Sequence, residues 1–210
     1  MDASQYTSDK VVAKARRLRG VVPVSAVDFA DLGTRGAIDQ ALSRLSRRGI
    51  LHRLGRGLYI YPRTSPLTGK LQMPTADAVA QAFARKLGHR IQVSRPYASN
   101  LLRLSTQVPA KNVYITDGRS RVVKIGPHTL YFHRVEPSTL AASGRVAPLV
   151  FQALRDIGRK RVSEDDVRRL RQLLPEKDRG ELLRNLQHAP VWMQPVLRAI
   201  AKQVEEAAHG

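Results

Sequence analysis

Between residues 42 and 62 the chain reads LSRLSRRGILHRLGRGLYIYP. Five arginines, Arg44, Arg47, Arg48, Arg53 and Arg56, share this run with His52 and with Gly55 and Gly57. A guanidinium stays charged at neutral pH and presents a planar fork of donors, which matches phosphate oxygens and the major-groove edge of guanine. Glycines on both sides of Arg56 permit a tight reversal and a close approach of backbone to a ligand. The chemistry of this run is recognition of a polyanion. A second group, Arg85, Lys86, Arg90, Arg95, Arg119, Arg121 and Lys124, with His89 among them, adds positive charge further along and could follow phosphates on another surface.

Catalytic chemistries find less support. Asp117 and Lys124 suggest a metal-dependent nuclease, but that site wants an acidic residue two before the lysine, and Val122 stands there. One carboxylate does not hold magnesium. Glu164, Asp165 and Asp166 follow Ser163 at a helix start, where carboxylates favour the dipole. The histidines His52, His89, His128, His133, His188 and His209 lack ligand spacing, and the odd offset of His128 and His133 sets them on opposite faces of a strand. Cysteine is absent, which removes disulfides, zinc thiolates and thiol catalysis. No GxxxxGK, GxGxxG or GxSxG occurs. We expect no enzyme, no cofactor and no metal.

The charge balance agrees with the arginine run. The 210 residues carry a formal net charge of +19 and a pI near 11.2. The excess is +6 over residues 1–62, +9 over 63–140 and +4 over 141–210, so it belongs to the folded body and not to a basic tail. Such a field draws nucleic acid, because each neutralised phosphate releases condensed counterions. No apolar run approaches the ~20 residues that span a bilayer, and the N-terminus has no signal-peptide core. A cytoplasmic protein without membrane contact is expected.

The elements that must position the arginines follow from periodicity. Val11, Val12, Ala15 and Leu18 mark a first helix over residues 9–19, stopped by Gly20. Val21 to Val24 is extended, since Pro23 disfavours helix before it. Ser25 caps a second helix to Leu32. Thr34 or Arg35 opens a third, whose apolar face is Ile38, Ala41, Leu42 and Leu45. Arg35, Gln40, Ser43, Arg44, Arg47 and Arg48 lie on its other faces or at its end. Ile50–Arg53 and Leu58–Tyr61 make a hairpin around Gly55-Arg56-Gly57. This is the order of a winged helix-turn-helix, with the third helix in the major groove and Arg53 and Arg56 on the wing.

Residues 63–75, with three prolines in 62–75, read as a linker. Thr75 caps a helix to Leu87. Strands at Ile91–Ser94, Val113–Thr116, Val122–Ile125 and Leu130–Val135 follow, the last three as an antiparallel meander turning at Asp117-Gly118 and Gly126-Pro127. A short helix covers Tyr97–Leu104, and Tyr97, Tyr114 and Tyr131 read as core or strand-face residues. From about residue 139 the pattern is helical: Val146–Ile157, a capped start at Ser163, a break at Pro175 and a last helix over Val191–Val204. The expected fold class is α+β: a winged helix-turn-helix domain over 1–62, a linker over 63–75, and a mixed domain over 76–210 with a small antiparallel sheet and a helical C-terminal part.

Two runs, AIDQALSRLSRRGILHRLGRGLYIYP and SRPYASNLLRLSTQVPAKNVYITDGRSRVVKIG, resemble the AbiEi-type antitoxin and transcriptional regulator family. The second is the more specific, because winged helices are common. The resemblance covers about residues 9–135. It implies a repressor that binds inverted repeats in its own promoter on double-stranded DNA, and an antitoxin counteracting a nucleotidyltransferase-like toxin encoded beside it. It carries the wing arginine onto Arg56 and the recognition helix onto Arg35 to Arg48. Repeated sites leave room for a dimer or for cooperative binding on DNA. The residue reading leaves two alternatives open, a protein-binding winged-helix module and an RNA-binding protein.

Overall fold

Helical spacing of Val11 and Ala15 buries one side of α1 (Ala3–Arg17), which begins ahead of the expected Asp9. The structure, a computed structural model, describes residues 3–202. The carbonyls left open at the end of α1 are taken by Arg63, whose Nη2 donates to Arg16 O at 3.1 Å and Leu18 O at 2.7 Å. A cation there also complements the helix dipole.

The element after Ser25 is a 3-10 helix over Ala26–Leu32, not the regular helix the sequence suggested. Asp28 Oδ2 accepts from Ser25 N at 2.7 Å and from Ser25 Oγ at 3.1 Å, which tightens the first turn. Phe29 then leaves helical geometry at φ −123° and buries its ring. Short, tight helices of this kind suit connectors. Thr34 Oγ1 accepts from Ala37 N at 3.4 Å and opens α2 (Arg35–Arg47). Ile38, Leu42 and Leu45 pack with Val11, Ala15, Phe29, Leu51 and Tyr59. Each such aliphatic side chain contributes about 1.5–3 kcal/mol on burial.

The hairpin is β1 (His52–Gly55) and β2 (Leu58–Ile60), antiparallel, pairing His52 with Ile60, Arg53 with Tyr59 and Gly55 with Leu58. The register shifts between Arg53 and Gly55. Arg56 at φ 54° and Gly57 at φ 69° form the two-residue left-handed turn that matches strand twist. Val24 pairs with Tyr59 through two backbone hydrogen bonds of 2.8 and 2.9 Å, so the extended stretch before the 3-10 helix docks on the hairpin.

Residues 63–75 contain an isolated antiparallel bridge, Thr64 with Leu71, and are tied to α1 through Arg63. Thr75 Oγ1 accepts from Ala78 N at 3.2 Å and starts α3 (Ala76–Leu87), which Gly88 ends in the left-handed conformation at φ 68°.

Strands β3 (Ile91–Val93), β4 (Asn112–Thr116), β5 (Arg121–Ile125) and β6 (His128–Arg134) form a four-stranded mixed sheet in the order β3-β4-β6-β5. This corrects the expected antiparallel meander, because β6 and not β5 neighbours β4. The chain does not reverse tightly at Asp117-Gly118. Gly118 N turns back onto Thr116 Oγ1 at 3.0 Å, and Thr116 O accepts from Val135 N at 2.8 Å, so the end of β4 is occupied by the chain leaving β6. Between β3 and β4 lies α4 (Arg95–Leu101), shorter than the expected Tyr97–Leu104 at its C-terminal end, where Arg103 adopts φ 55°.

The remaining helices are α5 (Ala147–Ile157), α6 (Glu164–Leu173), α7 (Glu176–Arg184) and α8 (Gln194–Ala201). Val191–Met193 is a 3-10 turn before α8, and the expected extension to Val204 lies partly outside the described residues. Val150, Phe151, Leu154, Leu170, Leu182, Leu197 and Ile200 make their common core. Ser163 and Asp166 cap α6 reciprocally, Oγ accepting from Asp166 N at 3.2 Å and Oδ2 from Ser163 N at 2.9 Å. The start of α5 is capped from another helix. Glu181 accepts from Val146 N at 2.7 Å, Ala147 N at 2.6 Å and Arg145 N at 3.2 Å.

The chain divides into two compact units, Met1–Arg90 with Arg121–Tyr131, and Ile91–Ser120 with Phe132–Gly210. The fold is α+β. Among the described residues no helix is long and apolar enough to cross a membrane.

Candidate nucleic-acid interface

On α2 the buried residues Ile38, Ala41, Leu42 and Leu45 fix which way the other side chains point. At 3.6 residues per turn the stripe opposite them is Gly36, Gln40, Ser43 and Arg47. Gln40 and Arg47 are exposed and Ser43 is half-buried. Arg44 lies half-buried on the flank of this stripe. Arg35 lies on the other flank, where its Nε meets Asp39 Oδ2 at 2.9 Å, with each side chain 57% exposed. So exposed a pair stabilises little, and it opens easily toward another acceptor. Arg48, at the end of α2, lines a cleft of about 280 Å³ together with Asp9, Arg16 and Ile50, to the side of the outward stripe.

Arg53 is exposed on β1 and Arg56 is exposed at the hairpin tip. A non-glycine residue at φ 54° costs energy, so something must hold it. Lys86 of α3 does this by donating from Nζ to Arg56 O. A Cβ added at Gly57 would lie 2.7 Å from the same Nζ. The neighbouring Arg85 donates to Asp28 Oδ1 at 3.2 Å and to Pro23 O at 3.3 Å. The end of α3 thereby holds both the hairpin tip and the 3-10 helix. On the far side Gly126 N donates to Leu54 O at 3.0 Å, so the β5–β6 turn braces β1.

The seven residues considered as a second phosphate surface are divided between the two units. Arg85, Lys86, Arg90, Arg121 and Lys124 belong to the first unit, with Arg90 and Lys124 exposed. Arg95 and Arg119 belong to the second. Arg85 and Lys86 face protein groups, which makes them supports of the hairpin and its neighbour. No periodicity signals the Lys86 contact, which joins residues 30 apart. The Asp28 contact had a partial signal, since Ser25 followed three residues later by Asp28 is a capping pattern.

Several other polar groups have partners or lie exposed, with Asp77 Oδ1 a buried exception. His128 Nε2 lies 2.8 Å from Pro74 O, His133 is exposed, and His209 lies outside the described residues. Asp77 Oδ1, in the first turn of α3, is buried without a hydrogen-bond partner, and burial pushes its carboxyl above the ordinary 3.8. Lys14, 2.6 Å from Asp31 on the 3-10 helix, holds that carboxyl below 3.8. Among the described residues no three of His, Asp and Glu converge as metal ligands.

No curated protein and no solved structure matches the chain. A family model described as a family of unknown function, DUF6088, matches residues 10–182. With most of its length inside that match, the chain belongs to the DUF6088 family.

Proposed function

We propose that the first unit is a winged helix-turn-helix that binds double-stranded DNA, and that the protein is an AbiEi-type antitoxin repressing its own operon. The observation that carries this reading is the outward stripe of α2 together with the tip Arg56 held by Lys86. In this reading α2 enters the major groove. Gln40 pairs with an adenine edge and Arg47 with a guanine edge, while Ser43 and Arg44 take neighbouring bases or phosphates. Gly36 lets the start of the helix approach the backbone closely. Arg53 and Arg56 contact the adjacent sugar-phosphate chain or the minor groove. The role is one of binding and not of catalysis.

The antitoxin setting rests on the resemblance of the two sequence runs, and with it come a nucleotidyltransferase-like toxin as partner and inverted promoter repeats as the site. The test is fluorescence anisotropy on the DNA upstream of the gene against a scrambled duplex and an RNA duplex of equal length, at moderate salt. Preference for the native duplex by a factor of about 10³ or more supports a specific regulator. Equal affinity for all three removes that reading. Co-expression with the adjacent reading frame tests the antitoxin role: growth must be rescued where that frame alone is toxic.

A further inference from the structure

The second unit contains two arginines, Arg95 and Arg155, flanking a buried hydrogen bond. Gln152 on α5 donates from Nε2 to Gln92 Oε1 on β3 at 2.8 Å, with both side chains buried. This bond pins two segments side by side. Three residues on from each partner stands an arginine, Arg155 on the next turn of α5 and Arg95 at the start of α4. Arg155 is half-buried, and its Nη1 is out of reach of solvent with no hydrogen-bond acceptor. Neither arginine joins an ion pair among the described residues. Burial first, and the charge of Arg95 second, hold the Arg155 guanidinium below its ordinary value. Arg95 and Arg155 thus stand on two segments packed against each other, α4 on α5, and one of the two guanidiniums is partly desolvated.

We infer that Arg95 and Arg155 form an oxyanion site that takes a phosphate group where α4 packs on α5. A buried guanidinium donor without an acceptor is costly, and an anion that meets both groups removes the unpaired donor and the repulsion together. Phosphate suits the pair better than a carboxylate. Its oxygens point in four directions and accept from two forks on opposing segments, whereas a carboxylate offers two oxygens in one plane. Arg95 is exposed, so the site opens to solvent on that side. The inference does not depend on the DNA reading, which concerns the other unit.

The full-length protein is titrated calorimetrically with inorganic phosphate, with dimethyl phosphate and with acetate, all at matched ionic strength. The variants are Arg95→Gln, Arg155→Met and Arg159→Gln, the last removing an exposed charge on the same stretch of chain. Arg95→Gln and Arg155→Met are expected to weaken phosphate binding at least tenfold, and Arg159→Gln less than twofold. Binding of dimethyl phosphate as well assigns the site to a phosphodiester backbone, and binding of inorganic phosphate alone assigns it to a free or terminal phosphate. Equal losses in all three variants, no loss in any, or acetate bound as tightly as phosphate overturns the inference. Without anion, Arg155→Met should melt no lower than wild type, because it removes a partly desolvated unpaired charge. If that variant does not fold, Arg95→Gln decides alone, since its exposed side chain is replaceable without disturbing the core.

Discussion

A side chain reads a base edge only when its own backbone is fixed, so the residues that matter most are those that combine reach with support. Arg47 has both, being exposed on a helix whose opposite face is fully buried. Arg47→Ala is expected to lose about 1–3 kcal/mol of discrimination at one base position, read by binding to a library of single-base operator variants. Arg44→Ala should relax preference in the same assay by less, since Arg44 lies on the flank of the stripe. Arg56→Ala should instead weaken all duplexes alike. In the proposed DNA reading Lys86 acts through Arg56, whose carbonyl it holds, as a positioning residue. Lys86→Met and Arg56→Ala are therefore expected to be non-additive in DNA affinity, and a double-mutant cycle measures the coupling. Strict additivity would mean that the lysine contributes charge alone.

At the scale of the element, helices in this chain are anchored at their ends by specific polar contacts. Glu181 receives three backbone donors at the start of α5. Glu181→Ala should destabilise the protein by about 1–3 kcal/mol in urea unfolding, with Glu181→Gln less affected because it keeps an acceptor. Asp77 is the opposite case. Its folded value is raised by burial, so the stability it contributes is complete below pH 3.8 and is lost as pH rises through the folded value. Asp77→Asn should raise the melting temperature at pH 7 and leave it nearly unchanged well below pH 3.8. A melting series from pH 3 to pH 7 checks both statements.

Elements fixed by local rules were legible in the sequence. α2, α3, α5 and α6 follow from apolar spacing and from Thr34, Thr75 and Ser163, and the hairpin follows from Gly55 and Gly57. The outward position of Gln40 and Arg47 follows from the same spacing, because burial of Ile38 and Leu42 leaves no other side for them. Features that depend on distant partners were not legible. The place of β6 beside β4 is set by pairing near Thr116 and Val135, and turn chemistry at Asp117-Gly118 does not reveal it. The 3-10 character of Ala26–Leu32 was not legible either, because its residue types and its Ser25–Asp28 cap fit a regular helix equally well. The clamp at the hairpin tip and the unpaired Arg155 depend on packing between segments.

For the whole molecule the net charge of +19 bears on how the proposed DNA binding responds to salt. Each phosphate contact adds about −0.9 to the slope of log affinity against log salt on B-form DNA. Arg56→Ala should therefore shallow that slope by about 0.9, measured between 50 and 200 mM potassium chloride. A distributed positive field also means that affinity at low salt says little about specificity, so the comparison of duplexes belongs at moderate salt.

Residues 121–131 return to the first unit after the chain has entered the second, and it then leaves again at Phe132. A fragment ending at Arg90 would therefore lack Gly126, the donor that braces Leu54 O at the base of the basic hairpin. Neither half can be cut free at a single peptide bond. Engineers who wish to transplant the arginine-bearing half onto another protein will have to carry the later strand with it, by circular permutation or by a designed loop across the gap.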